Sequence, residues 1–121
     1  MENSFTRNLL QRQDFELYSP EFSLVEIKKY QHVLCKKAGI DITEFVSLRE
    51  ELAIMVHFIP LHFYSNKLKS AHLISPDPND VDFFALALLY GIPLWSNDRM
   101  LKHQTTIQVI TTEELIEDMS E

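Results

Sequence analysis

Hydrophobic positions in the second half of the chain form two short blocks separated by a glycine. Residues 81–90 are apolar except for Asp82, which predicts a helix buried over most of its circumference. Gly91 follows at once and is typical of the left-handed residue that ends a helix. The apolar run 92–95 then predicts a short strand covered on both faces. An acidic turn precedes the helix and Asp98 follows the strand, so both blocks have carboxylates at their ends.

The rest of the chain alternates between patterns typical of helices and patterns typical of strands. Ser19-Pro20 predicts a helix start, with serine as the N-cap and proline at the first helical position, and this helix should end near Ala38, before Gly39. The other predicted elements are helices over 5–11, 41–55 (capped by Asp41 or Thr43) and 63–74, strands over 15–18, 56–61 and 107–110, a short helix or turn over 99–103, and a terminal helix capped within 112–115. Such alternation predicts an α/β domain with a mostly parallel sheet and helices on both faces.

Composition narrows the class of protein. The chain has 121 residues, which suits one domain, and its two glycines and five prolines argue against disorder. A single cysteine, Cys35, excludes an internal disulfide and a cysteine-based zinc site, and it fits a reduced, cytoplasmic location. The five histidines lack the spacing of zinc ligands. With no long apolar run and no signal-like start, we expect no membrane association.

The formal net charge of −7 bears on nucleic-acid binding. Strong nonspecific binding relies on many lysine or arginine contacts to phosphate, so this charge argues against a general RNA-binding surface. It is compatible with a nuclease, whose carboxylates carry negative charge until a metal binds. In the helix that ends near Ala38, one face collects the basic residues Lys28, Lys29, His32 and Lys36.

Carboxylates from several elements would form a site for a hard cation, Mg²⁺ or Mn²⁺. Closely spaced like charges are unfavourable unless a cation joins them, so a cluster of acids indicates metal. Asp80 is the first candidate, although helix capping by Asp77 and Asp80 would explain both residues without catalysis. Asp82 lies about 160° from Asp80 around an ideal helix, so we expect it to be an auxiliary ligand or to lie behind the ligands. Asp98 is either a site residue or a turn and cap residue.

Residues 76–101 resemble the carboxy-terminal half of PIN-domain nucleases (VapC-like). That motif has an aspartate at the start of an alanine-rich helix, followed by a strand that ends in Thr/Ser-x-Asp. The matching residues are Asp80, Ala85, Ala87, Trp95, Ser96 and Asp98. The resemblance implies a three-layer α/β domain that binds Mg²⁺ or Mn²⁺ and hydrolyses RNA with a metal-activated water. It also implies that Asp80 and Asp98 are active-site acids and that Ser96 orients a ligand or water.

Glu26 is the match to an acidic residue that points into the active site of this family. The helical pattern places Glu26 inside the apolar arc, one turn from Phe22 and from Tyr30, where a carboxylate needs partners. The alternative is that Glu26 lies at the rim of the helix and pairs with Lys29 or Lys37.

One part of the family pattern has no counterpart in this sequence. PIN domains begin with a central strand that ends in the first metal-binding aspartate, whereas residues 1–6 correspond to the region after it. We therefore expect a single domain over 1–121 that is truncated at its amino terminus, with a sheet that lacks its middle strand. Unpaired strand edges are costly, so a homo-oligomer, or a partner that supplies a strand, is the expected remedy.

Three functions remain open at this point. The first is a ribonuclease that is impaired by the absent aspartate; as the toxin of a toxin–antitoxin pair, it would have an antitoxin as its partner. Alternatively it is an inactive PIN-like module that binds another protein, or a shortened gene product that keeps the fold without activity.

Overall fold

The structure is a computed structural model that describes residues 16–120, except for the side chains of Leu52, Met119 and Ser120. The helix predicted over 5–11, the start of the first predicted strand and the expected absence of a central strand all concern residues outside this range. The chain divides into two compact units, Met1–Pro60 and Leu61–Glu121, and each is described by itself.

The first unit contains two parallel strands, β1 (Leu17–Pro20) and β2 (Val56–Ile59). Pro20 is the last residue of β1, so the prediction that Ser19-Pro20 opens a helix is wrong. The physical reason is tertiary pairing: Pro20 lies opposite Ile59, and the N–H of the following Glu21 donates to the Ile59 carbonyl at 2.9 Å. Proline lacks an N–H, so it fits at a strand end where its neighbour supplies the bond.

Three helices complete the described part of the first unit. They are α1 (Phe22–Lys29), α2 (Gln31–Ala38) and α3 (Ile42–Met55). The single helix predicted to end near Ala38 is divided at Tyr30, whose backbone angles (φ −104°, ψ 18°) leave the helical region. Gly39 ends α2 with φ 70°, as predicted. Asp41 caps α3 by accepting a hydrogen bond from the Glu44 N–H at 2.8 Å, which decides between the two predicted capping residues.

The second unit is organised around one apolar helix. Its elements are α4 (Leu61–Tyr64), a 3₁₀ helix (Ser65–Lys67), α5 (Leu68–Ile74), a 3₁₀ helix (Pro78–Asp80), α6 (Val81–Tyr90), β3 (Leu94–Trp95), a 3₁₀ helix (Arg99–His103), β4 (Val109–Ile110) and α7 (Thr112–Ser120). Within α6, Phe84 and Ala85 are fully buried and Leu86 and Ala87 nearly so, which confirms the prediction of a buried helix. Gly91 ends it with φ 64°.

Helix α6 packs against a neighbouring helix, and strand β3, which follows it in the chain, pairs with β4. Helix α6 packs against α5, and Tyr64 and Ala71 are buried in the same unit. Strands β3 and β4 are parallel, with Leu94 opposite Val109, and the Ser96 N–H extends the ladder by donating to the Ile110 carbonyl. The predicted helix over 63–74 is interrupted by the 3₁₀ turn at 65–67 but ends before Ser75-Pro76, as predicted.

Both sheets that the structure describes are parallel and lie among helices, so the α/β class is confirmed for the described residues. In that same part of the chain, every helix is too short or too polar to cross a bilayer.

Candidate metal centre

Three aspartates of the second unit bring their carboxylates together. One carboxylate oxygen from each of Asp77, Asp80 and Asp98 lies within 4.8 Å of the other two. Asp77 and Asp80 are half-buried, while Asp98 is exposed. Two of the acids predicted from the sequence, Asp80 and Asp98, therefore meet in one cluster, and Asp77 joins them.

The local structure explains why Asp77 and Asp80 face the same point. Asp77 is the N-cap of the 3₁₀ helix Pro78–Asp80, and proline at the first helical position fixes the start of this turn. Side chains three residues apart eclipse one another in a 3₁₀ helix, so Asp80 returns to the side of Asp77. Asp98 reaches the cluster from a separate direction, because it lies just beyond the carboxyl end of β3.

Capping explains two of the three carboxylates. Asp77 Oδ1 accepts a hydrogen bond from the Asn79 N–H at 2.9 Å, and Asp98 Oδ1 accepts one from the Met100 N–H at 3.0 Å. Each of these carboxylates keeps a second oxygen for another ligand. The Asp80 side chain makes no cap, and its carboxylate accepts no hydrogen bond from any residue between 16 and 120. Capping therefore does not account for the position of Asp80.

The electrostatics of the cluster favour a cation. Burial raises the pKa of Asp80 above its ordinary value of 3.8, and the negative charges of Asp77 and Asp98 raise it further. A bound cation would remove that repulsion. Two opposite ligands on Mg²⁺ are about 4.2 Å apart, because each lies about 2.1 Å from the metal. Oxygens within 4.8 Å of one another on partly exposed side chains fit such an ion after small rotations.

Ser96 and Asn97 fix the backbone that presents Asp98. Ser96 Oγ accepts a hydrogen bond from the Asp98 N–H at 3.1 Å. Asn97 Oδ1 accepts one from the Thr112 N–H at 2.8 Å, at the start of α7. The indole of Trp95 donates to Thr112 Oγ1 at 2.9 Å. Trp95 and Asn97 thus both bond to Thr112, and these bonds hold the segment before Asp98 against the start of α7.

Asp82 lies outside this cluster. The hydroxyl of Tyr64, whose side chain is 1 % exposed, donates to Asp82 Oδ2 at 2.6 Å. Asp82 thus satisfies a buried tyrosine, which fits its position about 160° from Asp80 around an ideal helix. The structure does not bring Asp82 together with Asp80 and Asp98.

Glu26 lies on α1, in the first unit. Its side chain is exposed, which differs from the buried position inside the apolar arc that the helical pattern predicts. The break at Tyr30 accounts for part of this difference, because a pattern continued across residue 30 no longer describes one straight helix. The predicted pairing of Glu26 with Lys29 or Lys37 is not among the ion pairs of the described residues. Its role as a site residue stays a prediction.

A second charged group near the carboxyl end of β4 is structural. Lys102 Nζ lies 2.6 Å from Glu114 Oε1, and the same oxygen accepts hydrogen bonds from the N–H and hydroxyl of Thr111. The bond to Lys102 and those from Thr111 hold the pKa of Glu114 down, to about 2. Thr111 Oγ1 accepts the Glu114 N–H in return, so the pair forms a capping box for α7. Lys102 is therefore engaged by Glu114.

Sequence reasoning missed Asp77 as a member of the cluster and assigned it to capping alone. The signal that would have found it is the spacing Asp77-Pro78-Asn79-Asp80, because proline at the start of a single tight turn favours the 3₁₀ geometry that aligns residues three apart.

The acidic cluster thus lies at the end of a strand and at the start of a buried helix, in a chain with parallel strands among helices. A model of the PIN domain family matches residues 2–120, which is nearly the whole chain and spans both compact units. The chain belongs to the PIN domain family, and its fold is of the nuclease type. No curated protein and no solved structure matches the chain.

Proposed function

We propose that this PIN domain is a metal-dependent ribonuclease, with Asp77, Asp80 and Asp98 holding Mg²⁺ or Mn²⁺. The observation that carries the proposal is the convergence of three carboxylates, of which that of Asp80 accepts no hydrogen bond from the described residues. A carboxylate with a raised pKa and no capping role is costly to the fold, and a cation compensates that cost.

Different residues would bind the metal, position its ligands and support the helix that carries them. Asp77 and Asp98 each use one oxygen for a backbone N–H and offer the other to the cation. Ser96 holds the Asp98 backbone, and we expect Glu26 to add a further carboxylate. Asp82 accepts the hydrogen bond from Tyr64, which fixes α6, and it does not bind the metal directly. When bound, the metal lowers the pKa of a water molecule and neutralises charge that develops on the scissile phosphate.

The finer arrangement of the domain is part of this proposal. We infer a three-layer domain whose central strand comes from a second copy of the chain or from a partner protein. An antitoxin is the partner expected if the chain is the toxin of a toxin–antitoxin pair. Sedimentation of the purified chain over a range of concentrations tests the first possibility, because a chain that stays monomeric would exclude strand exchange between copies.

The test combines metal binding with RNA cleavage. Thermal unfolding is followed with EDTA and with Mn²⁺, and a labelled RNA is incubated with the same samples. We expect Mn²⁺ to raise the melting temperature of the wild type, and Asp80→Asn and Asp98→Asn to lose both this rise and the cleavage. Glu50→Gln is the matched control, because Glu50 is an exposed carboxylate in the middle of α3. A wild type that neither binds Mn²⁺ nor cleaves RNA would refute the nuclease.

A second candidate is an inactive PIN-like module that binds a protein, which the net charge of −7 favours. It predicts no cleavage at any enzyme concentration, with or without a response to Mn²⁺. Cleavage lost in Asp80→Asn but kept in Glu50→Gln excludes it.

A further inference from the structure

Positive charge is concentrated in one short segment of this acidic chain. Residues 27–40 contain four lysines and no acidic residue, although the whole chain has only 11 lysines and arginines against 18 acids. The segment therefore carries a local charge of +4 in a chain of −7. Its lysines are Lys28 and Lys29 in the last turn of α1, and Lys36 and Lys37 in the last turn of α2. We call these four residues the lysine surface.

The lysine surface is available to a ligand. All four side chains are exposed. Lys29 Nζ lies 5.3 Å from the centre of the Tyr30 ring, and that ring is itself 49 % exposed between the two lysine pairs. None of the four lysines forms an ion pair with a carboxylate in residues 16–120. Four exposed ammonium groups without an anionic partner in the described residues, one of them beside an exposed aromatic ring, are the features of a surface that binds a polyanion.

Helix stability offers a simpler explanation for these lysines. Cations in the last turn of a helix interact favourably with the helix dipole, and both lysine pairs occupy such a turn. This interaction leaves the ammonium groups in solvent, so it is compatible with ligand binding. Measurements of stability and of RNA binding separate the two roles.

The local positive charge of the lysine surface, which contrasts with the acidic chain around it, indicates RNA as the ligand. A nuclease of net charge −7 with an acidic cluster repels its substrate until cations intervene, and one divalent ion compensates only part of that charge. Phosphate contacts from lysine supply most of the affinity of sequence-independent binding. We infer that the lysine surface binds the phosphate backbone of single-stranded RNA, and this inference rests on the proposed nuclease function.

The experiment measures how RNA binding depends on salt. A short fluorescent single-stranded RNA is titrated with the Asp80→Asn protein in EDTA, so that no cleavage interferes, at several salt concentrations. Each phosphate contact contributes about 0.7 to the slope of log K against log salt for a single strand. The double variants Lys28→Gln/Lys29→Gln and Lys36→Gln/Lys37→Gln should therefore each reduce the slope by about 1.4.

The matched control is Lys67→Gln/Lys69→Gln, which changes the net charge by the same amount in the second unit. We expect its slope to equal that of the parent protein. Thermal unfolding of every variant shows whether helix stability changed as well. If the lysine-surface variants lower the slope no more than this control does, the inference is refuted.

Two further results separate this inference from the proposed function. Wild-type protein that cleaves RNA in Mn²⁺ while the lysine-surface variants bind it unchanged would overturn the inference alone. Lysine-dependent RNA binding without cleavage by the wild type would overturn the nuclease and leave the surface in place. Polyglutamate that binds as tightly as RNA, with the same dependence on the lysines, would assign the surface to an acidic protein partner and overturn RNA as its ligand.

Discussion

Replacing Asp80 by asparagine should stabilise the metal-free protein. Asparagine has the same shape and removes the charge, and Asp80 makes no capping bond that the substitution would break. The raised pKa of Asp80 means that folding favours its protonated form. The stability associated with that form is fully present below the ordinary pKa of 3.8 and is lost as pH rises through the raised value. At neutral pH the wild type thus carries a cost that Asp80→Asn lacks.

Burial of the Asp80 carboxylate is the largest cause of its raised pKa, and the geometry of the cluster sets the size of the further contribution from repulsion. At the 4.8 Å limit between oxygens, each pair of charges repels by about 0.9 kcal/mol in water and by about 3.5 kcal/mol at an effective dielectric constant of about 20. The lower figure suits a cluster that is exposed at Asp98. Asp80 takes part in two pairs, and screening at physiological salt roughly halves their sum, to about 1 kcal/mol. For a chain of 121 residues this corresponds to a rise in melting temperature of about 4 °C.

Differential scanning calorimetry in EDTA at pH 7 measures the rise, and a series of buffers toward pH 3 should show it diminish. Mn²⁺ should reverse the order of stabilities, because a ligand at about 100 times its Kd stabilises the wild type by about 2.7 kcal/mol. Glu50→Gln, with the same loss of charge on an exposed part of α3, should melt like the wild type in both conditions. A metal-free Asp80→Asn protein that melts no higher than Glu50→Gln would show that the three carboxylates do not repel one another in solution.

Substitutions at three other positions test the structure around the cluster. Tyr64→Phe should lower the free energy of unfolding in urea by about 1.5–3 kcal/mol, because it removes a hydrogen bond to the carboxylate of Asp82. It should leave the affinity for Mn²⁺ unchanged. A large loss of affinity would place Asp82 among the metal ligands. Asn97→Ala should weaken Mn²⁺ binding about tenfold, as measured by calorimetry, because residues that orient metal ligands typically contribute that much. Asn97→Asp can still accept the Thr112 N–H and should restore the affinity for Mn²⁺. Equal affinities of the wild type and both variants would contradict the role of Asn97 in positioning Asp98. The pKa of Glu114 is lowered from its ordinary value of 4.5 to about 2, so its charged form adds stability that is present above pH 4.5 and lost as pH falls toward 2. The melting temperatures of the wild type and Glu114→Gln should therefore converge as pH falls from 4.5 to 2. A constant difference between them would contradict the ion pair.

Local sequence predicted several elements correctly because their causes are local. The apolar block 81–90 has to be buried wherever it lies, and Gly39 and Gly91 end helices because the left-handed conformation is easily reached without a side chain. The start of α3 was also predictable, because Asp41 caps it through a hydrogen bond to an N–H only three residues further along the chain. Asp80 and Asp98 could be predicted as neighbours from strand and helix order together with the family resemblance.

Other features depend on contacts between residues far apart in the chain. The sequence by itself determined the apolar helix, its glycine end and the acids at its borders, because these follow from steric and hydrophobic properties of neighbouring residues. Only the tertiary structure decided that Pro20 ends a strand, through pairing with Ile59, and that Asp82 bonds to Tyr64, 18 residues earlier in the chain. Both outcomes depend on partners that lie far away in the chain, and the pattern of neighbouring residues does not encode which distant partner a residue meets.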